Sequence, residues 1–164
     1  MSLPERIQPG QGQESVWDYP RPPALVPDDR LVEVRFAGVT IAETRRAVRV
    51  LETSQAPAFY LPPDDVDMTY LQPSPHRTFC EWKGQADYLD VVVGEQRAER
   101  AVWRYRSPLE RFESITGYLA FYPQTVECYV DGARVQPMPG GFYGGWVTAE
   151  IVGPFKGGAG TAHW

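Results

Sequence analysis

Between Thr78 and Tyr88 the chain reads TFCEWKGQADY, which sets a thiol, a carboxylate, an indole, an amine and a phenol within eleven residues. In an extended segment Cys80 and Trp82 point to one face and Glu81 and Lys83 to the other. Thiol and amine therefore meet only if the chain turns at Lys83-Gly84, and glycine makes such a turn easy. With that turn the ammonium would favour a Cys80 thiolate, while an apolar neighbour such as Trp82 would favour the neutral amine. Either group could then act as nucleophile, with Tyr88 as proton donor. The plainer alternative is a lysine stacked on an indole, worth about 0.5 to 1 kcal/mol where exposed, beside a cysteine used as filler.

Of the 16 basic residues only Lys83 and Lys156 are lysine, and both stand between an aromatic residue and a glycine: Trp82-Lys83-Gly84 and Phe155-Lys156-Gly157. A chain that uses arginine almost everywhere else draws attention to these two amines. Other sites are weaker. His76, Cys80, Cys128 and His163 lack the paired short spacing of a zinc site, so neither metal nor cofactor is expected. GPFKGGAG does not follow the Walker order, although its amides could form a loose nest for an anion. Asp65-Val66-Asp67 has carboxylate spacing seen in some nucleotidyl transferases, but no glycine-serine turn precedes it, and a capped loop is the simpler reading. Glu43 and Glu52 lie close to predicted strands, where they serve as general bases or as partners for Arg45 and Arg49. No Ser-His-Asp set stands out.

These groups must be positioned by one domain, since 164 residues bury a single core. No apolar run approaches the roughly 20 residues of a membrane span. The N-terminal stretch lacks the apolar centre of a secretory signal, which makes the cytoplasm the expected location, with both cysteines as thiols. A net charge of −5 and a pI near 5.1 argue against nonspecific nucleic-acid binding. The basic TRRAVR run, residues 44–49, reads as a solvated strand face.

Fifteen glycines and sixteen prolines point to many turns between short elements. RLVEVRF alternates, AG at 37 and 38 turns the chain, and VTIAET returns as the second strand of a hairpin. AVRVLET, APAFYLP, LAFYP and TVECYVDGARVQP supply further strands, the last bent at Asp131-Gly132. ADYLDVVV and AERAVWRYR flank a glycine turn as the clearest hairpin. PPDDVDMTYLQPSP reads as a loop with one helical turn capped by Asp64 or Asp65. SPLERFESITG predicts one short helix: Ser107 caps, Pro108 takes the first turn, Glu110 completes a capping box, and Leu109, Phe112 and Ile115 form the apolar stripe.

Residues 1–30 read as an extended N-terminal arm with a polyproline-II segment, VWDYPRPP. Residues 31–136 form the β domain. Residues 137–164 form a C-terminal arm rich in glycine and aromatics, and aromatics at such density predict that the arms pack on the domain or on a second copy in a homodimer. The fold expected is mainly β, a compact antiparallel sandwich or barrel-like sheet with one short helix.

IAET, LET, FYLPPDDV, TFCEWKGQADY, WRY, FYP and YVDG, in this order and at about these intervals, resemble the family catalogued as domain of unknown function 427. The resemblance covers about residues 31–136, and its most specific part is Cys-x-Trp-Lys-Gly-x-Ala-x-Tyr. It implies a compact β fold and carries over Glu43, Thr44, Tyr60, Asp65, Thr78, Cys80, Trp82, Lys83, Gly84, Ala86, Tyr88, Trp103 and Tyr105 as motif positions. It brings no known reaction. The label nucleotidyltransferase-like attached to that family calls for a glycine-serine and carboxylate arrangement that is missing here. Glu81 stands where the family pattern has proline.

The two lines of reasoning nominate Lys83, Tyr88 and Cys80 as catalytic candidates. Glu43, Tyr60, Thr78, Trp82, Gly84, Trp103 and Lys156 are nominated as ligand contacts. The expected ligand is a small anionic or carbonyl-bearing molecule. The alternatives are a noncatalytic metabolite or nucleotide module and a scaffold that assembles through its arms.

Overall fold

The computed structural model describes residues 2–164. Among them eleven strands build two main antiparallel sheets. In chain order they are β1 (Ala24–Asp28), β2 (Val32–Phe36), β3 (Val39–Thr44), β4 (Ala47–Leu51), β5 (Ala58–Leu61), β6 (Leu71–Cys80), β7 (Gly84–Val93), β8 (Gln96–Arg104), β9 (Leu119–Phe121), β10 (Glu127–Val130) and β11 (Ala133–Arg134). The larger sheet runs β1-β4-β5-β9-β8-β7-β6 and the smaller runs β11-β10-β2-β3. The larger sheet ends at β1 and β6 without closing on itself. Of the two expected forms, the open sandwich is therefore found and the barrel is not.

Hairpin turns behave as their residues dictate. Ala37-Gly38 joins β2 to β3 with φ of 50° and 78°, and Asp131-Gly132 joins β10 to β11 with φ of 48° and 78°. Two central residues at positive φ define the type I′ turn, whose twist matches that of the strands. Alternation then sorts side chains between two faces. Phe59, Leu61, Leu89, Val102, Leu119 and Phe121 face the smaller sheet and share a core with its Val32, Val34, Ile41, Cys128 and Val130. Their neighbours Tyr60, Tyr88, Trp103 and Ala120 face the other way, and they gather with Tyr105, Phe112 and Ile115 into a second cluster. The larger sheet thus has two apolar faces, where a solvated face is common for antiparallel sheets.

Two expectations are corrected. SPLERFESITG forms 3-10 turns at Glu110–Ile115, kinked at Phe112, with Leu109 at the cap position and no side-chain capping bond from Ser107. Leu109, Phe112 and Ile115 repeat every three residues, which is the 3-10 period. The segment is also pinned at both ends, by Leu109 N–H to the Lys83 carbonyl at 3.0 Å and by Gly117 N–H to the Tyr105 carbonyl at 2.9 Å. The loop expected over PPDDVDMTYLQPSP contains two 3-10 turns, the second capped by Asp67 and not by Asp64 or Asp65, and it ends early, at β6. Pro73 and Pro75 are tolerated there because β6 is an edge strand whose ladder skips between Pro73 and Arg77.

Both arms pack against each other and against the body of the chain. Glu14–Ser15 pairs in parallel with Ile151–Val152, and Gln136–Pro137 pairs with Trp146–Val147. Val16, Trp17, Tyr19, Met138 and Ile151 form a third cluster with Ala56. Trp146 stacks on Phe59 with ring centroids 4.6 Å apart and donates its indole N–H to the Phe121 carbonyl at 2.9 Å. An ionic lattice joins the arms to β1 and β4: Arg49 contacts Glu14 at 2.8 Å and Asp28 at 3.4 Å, while Arg30 contacts Asp28 at 2.7 Å and also Glu150. No helix among the described residues is long and apolar enough to cross a membrane.

Candidate functional site

β6 and β7 are joined by the three-residue turn Glu81–Lys83, with Cys80 opposite Gly84 in the ladder. Gly84 sits at φ +101°, a region essentially reserved for glycine, and this turn folds Lys83 back over the end of β6. The Lys83 ammonium lies 3.6 Å from the Cys80 sulfur, and the residue is only 8% exposed. Its aromatic neighbours are Phe112 at 5.5 Å and Tyr105 at 5.9 Å from ring centroid to nitrogen, so these rings carry the cation–π contact expected of Trp82. Among the described residues no carboxylate pairs with it; every ion pair is made by arginine.

Register places a row of side chains across the outward face. Tyr60 on β5 and Trp103 on β8 both oppose Ala120 of β9, and Tyr88 of β7 opposes Trp103. Ala120 is small enough for the two large side chains to meet over it: Trp103 donates its indole N–H to the Tyr60 oxygen at 2.9 Å. The Tyr88 and Thr78 hydroxyls are 2.9 Å apart, and the His76 ring lies 4.6 Å from that of Tyr88. Burial pushes the phenols of Tyr60, Tyr105 and Tyr122 up, and Tyr88 adds to the effect on Tyr122, so all three are neutral hydrogen-bonding groups at ordinary pH.

Tyr60, Tyr88 and Trp103, with Cys80, Lys83 and Tyr105, line a cleft of about 640 Å³, within the range of small-molecule sites. The C-terminal arm forms part of its wall through Gly141–Gly145 and Lys156. Gly144 is pressed onto the Trp103 ring so closely that a Cβ there would stand 2.4 Å from it. Gln124 fastens the arm by donating to the Tyr143 carbonyl at 2.9 Å.

Of the residues nominated from sequence, Lys83, Cys80, Tyr88, Tyr60, Thr78, Trp82, Trp103 and Lys156 meet in this cleft. Gly84 forms the turn and does not line the cleft, and Glu43 is exposed on β3 of the smaller sheet, opposite Glu33. Glu52 lines the cleft but sits 3.6 Å from Arg21. The motif residues Thr44 and Asp65 fasten the smaller sheet: Thr44 donates to Asp65 at 2.6 Å and Arg46 pairs with it at 3.0 Å, bonds that hold the Asp65 carboxyl below its usual range. His76, Tyr122, Gln124 and Tyr143 also line the cleft and were not nominated. Tyr105, which the family resemblance marks only as a motif position, belongs with them, and its spacing of two from Trp103 in WRY was the available signal. Both cysteines are free, Cys80 half-buried and Cys128 buried. Among the described residues no three His, Cys, Asp or Glu side chains group as a metal site.

Fold and site define an open, two-sheet β domain with an aromatic cleft on the outer face of its larger sheet. The chain belongs to the family described as Domain of unknown function (DUF427), whose model matches residues 24–132. The arm residues that wall the cleft fall beyond that match. No curated protein matches the chain.

Proposed function

We propose that the cleft binds a small anionic or carbonyl-bearing molecule, with Lys83 as the group that engages it. The observation that carries this reading is a buried ammonium with no acidic partner among the described residues, held over two rings. Burying an unpaired charge is costly, and a ligand that supplies the anion, or reacts with the neutral amine, relieves that cost. Trp82, Trp103 and Tyr60 supply apolar walls, and the Thr78–Tyr88 hydroxyl pair supplies a polar contact. The two free thiols fit the reducing cytoplasm expected from the sequence.

A second, catalytic reading is favoured by the proximity of Lys83 to Cys80. In it the neutral Lys83 amine adds to a carbonyl and loses water to give a Schiff base, Tyr88 supplies the proton, and Cys80 tunes the amine. Borohydride treatment in the presence of pyruvate or benzaldehyde separates the readings. Reduction of an imine leaves a stable secondary amine visible as an added mass on Lys83 in wild type and absent from Lys83→Ala. Where charge alone is used, no adduct forms and Lys83→Arg keeps much of the affinity for small carboxylates. Retention of full affinity in folded Lys83→Ala, with no adduct in wild type, would remove Lys83 from the site.

A further inference from the structure

We infer that the cleft recognises a flat, conjugated molecule carrying two acidic groups, one held by Lys83 and the other by Lys156. This deepens the binding reading above and rests on it. Arginine makes every ion pair among the described residues, whereas the two lysines make none and both line this cleft. Each ammonium lies over aromatic rings, Lys156 at 5.3 Å from the centroid of Tyr143. A ring face steadies an ammonium but satisfies none of its three N–H donors as an oxygen would. The acids nearby do not neutralise them: Glu52 is engaged by Arg21, and Glu81 is exposed in the hairpin turn. The exposed side chain of Arg100, which forms no ion pair among the described residues, adds positive charge to the lining. A chain of net charge −5 thus gathers unpaired cations in one place.

Lys156 is held there by backbone. Its N–H donates to the carbonyl of Ser54 at 2.9 Å, and Ser54 is fully buried. The next residue, Gly157, has φ +132°, and a Cβ there would stand 2.1 Å from the Pro139 carbonyl oxygen, while one on Gly140 would stand 1.8 Å from that of Gly157. Only two glycines allow these strands of backbone to interlock. The hairpin and the arm therefore present one amine each to a lining otherwise dominated by rings, which favours a planar body between two anionic ends.

The test is isothermal titration of the full chain with benzoate, with terephthalate and its longer naphthalene and biphenyl dicarboxylate counterparts, and with the aliphatic diacid adipate. At least one aromatic diacid is expected to bind about tenfold more tightly than benzoate, the effect of one added charge-assisted contact, and more tightly than adipate. Lys156→Gln should remove that margin, Lys156→Arg should restore much of it, and Lys83→Gln should weaken both ligands. Thermal melts of each variant report that it is folded. An undiminished margin in folded Lys156→Gln, or equal affinity of benzoate and every diacid, overturns the two-point inference and leaves the Lys83 reading standing. Failure of wild type to bind any aromatic acid overturns the two-point inference, while the borohydride and Lys83→Ala measurements above decide the Lys83 reading separately.

Discussion

Tyr60 and Trp103 are joined over the side chain of Ala120 by a hydrogen bond of 2.9 Å, with rings edge to face and centroids 5.9 Å apart. Both residues are buried, so the partner left behind by a substitution has little solvent at hand to replace the lost bond. Tyr60→Phe keeps the ring and strands the Trp103 donor, and it should cost about 1 to 3 kcal/mol in urea denaturation. Ala120→Leu, by filling the space over which the two meet, should also destabilise, by about 1 to 3 kcal/mol. A Tyr60→Phe protein as stable as wild type would mean that the bond contributes nothing.

Acid should loosen the arms. Burial pushes the carboxyls of Glu14, Asp28 and Glu150 up, but their hydrogen bonds outweigh it: Tyr19 and Arg49 act on Glu14, and Arg30 acts on Asp28 and Glu150, leaving all three below their usual range. A carboxyl lowered by folding stabilises fully above its unfolded value, about 4, and loses that contribution as pH falls through its folded value. Stability should therefore hold from neutrality to about pH 5 and fall steeply below about pH 4. Arg30→Gln should be less stable at pH 7 and show a shallower decline in acid. Parallel urea-denaturation curves against pH for the two proteins would exclude the ionic lattice as the cause.

Hairpins and the Lys83 turn were legible because their causes are local. Ala37-Gly38, Asp131-Gly132 and Gly84 announce positive φ, and strict alternation around them assigns faces. β6 was not legible, since Pro73 and Pro75 argue against a strand until strand order makes it an edge. Position in a sheet is a property of the whole fold. Glu43 gained weight from sitting in a motif, but a motif marks structural fastening as readily as chemistry, as the neighbouring Thr44–Asp65 bond illustrates. The glycines of the C-terminal arm resemble those of a linker in composition, and only coordinates distinguish flexibility from close approach. Lys156 was nominated beside Lys83 from its matching aromatic-lysine-glycine setting, but the route by which it reaches the cleft depends on where that arm docks, which no local pattern encodes.

Those arm glycines make a sharp comparison. At Gly157 a side chain meets the Pro139 backbone and an unfavourable φ at once, whereas at Gly158 nothing lies within 4 Å of an added Cβ. Gly157→Ala should therefore destabilise by several kcal/mol, a backbone clash added to strain of about 1 to 3 kcal/mol. Gly158→Ala should stay within about 1 kcal/mol of wild type. Thermal unfolding of the pair measures the difference, and equal melting temperatures would show that the arm yields rather than interlocks.

The two thiols should respond oppositely to alkylation. Cys128 is fully buried between the sheets, and burial pushes its thiol well above the usual range, so both access and thiolate are denied to it in the folded state. Cys80 is half-buried and lines the cleft beside the Lys83 ammonium. Iodoacetamide at neutral pH should label Cys80 alone, as read by peptide mass spectrometry, and label Cys128 only after urea unfolds the chain. Because Cys80 and Lys83 share one wall, an aromatic acid that occupies the cleft should slow Cys80 labelling in proportion to its occupancy. Labelling of Cys80 at an unaltered rate under a saturating acid would put that acid somewhere other than the Lys83 end of the cleft.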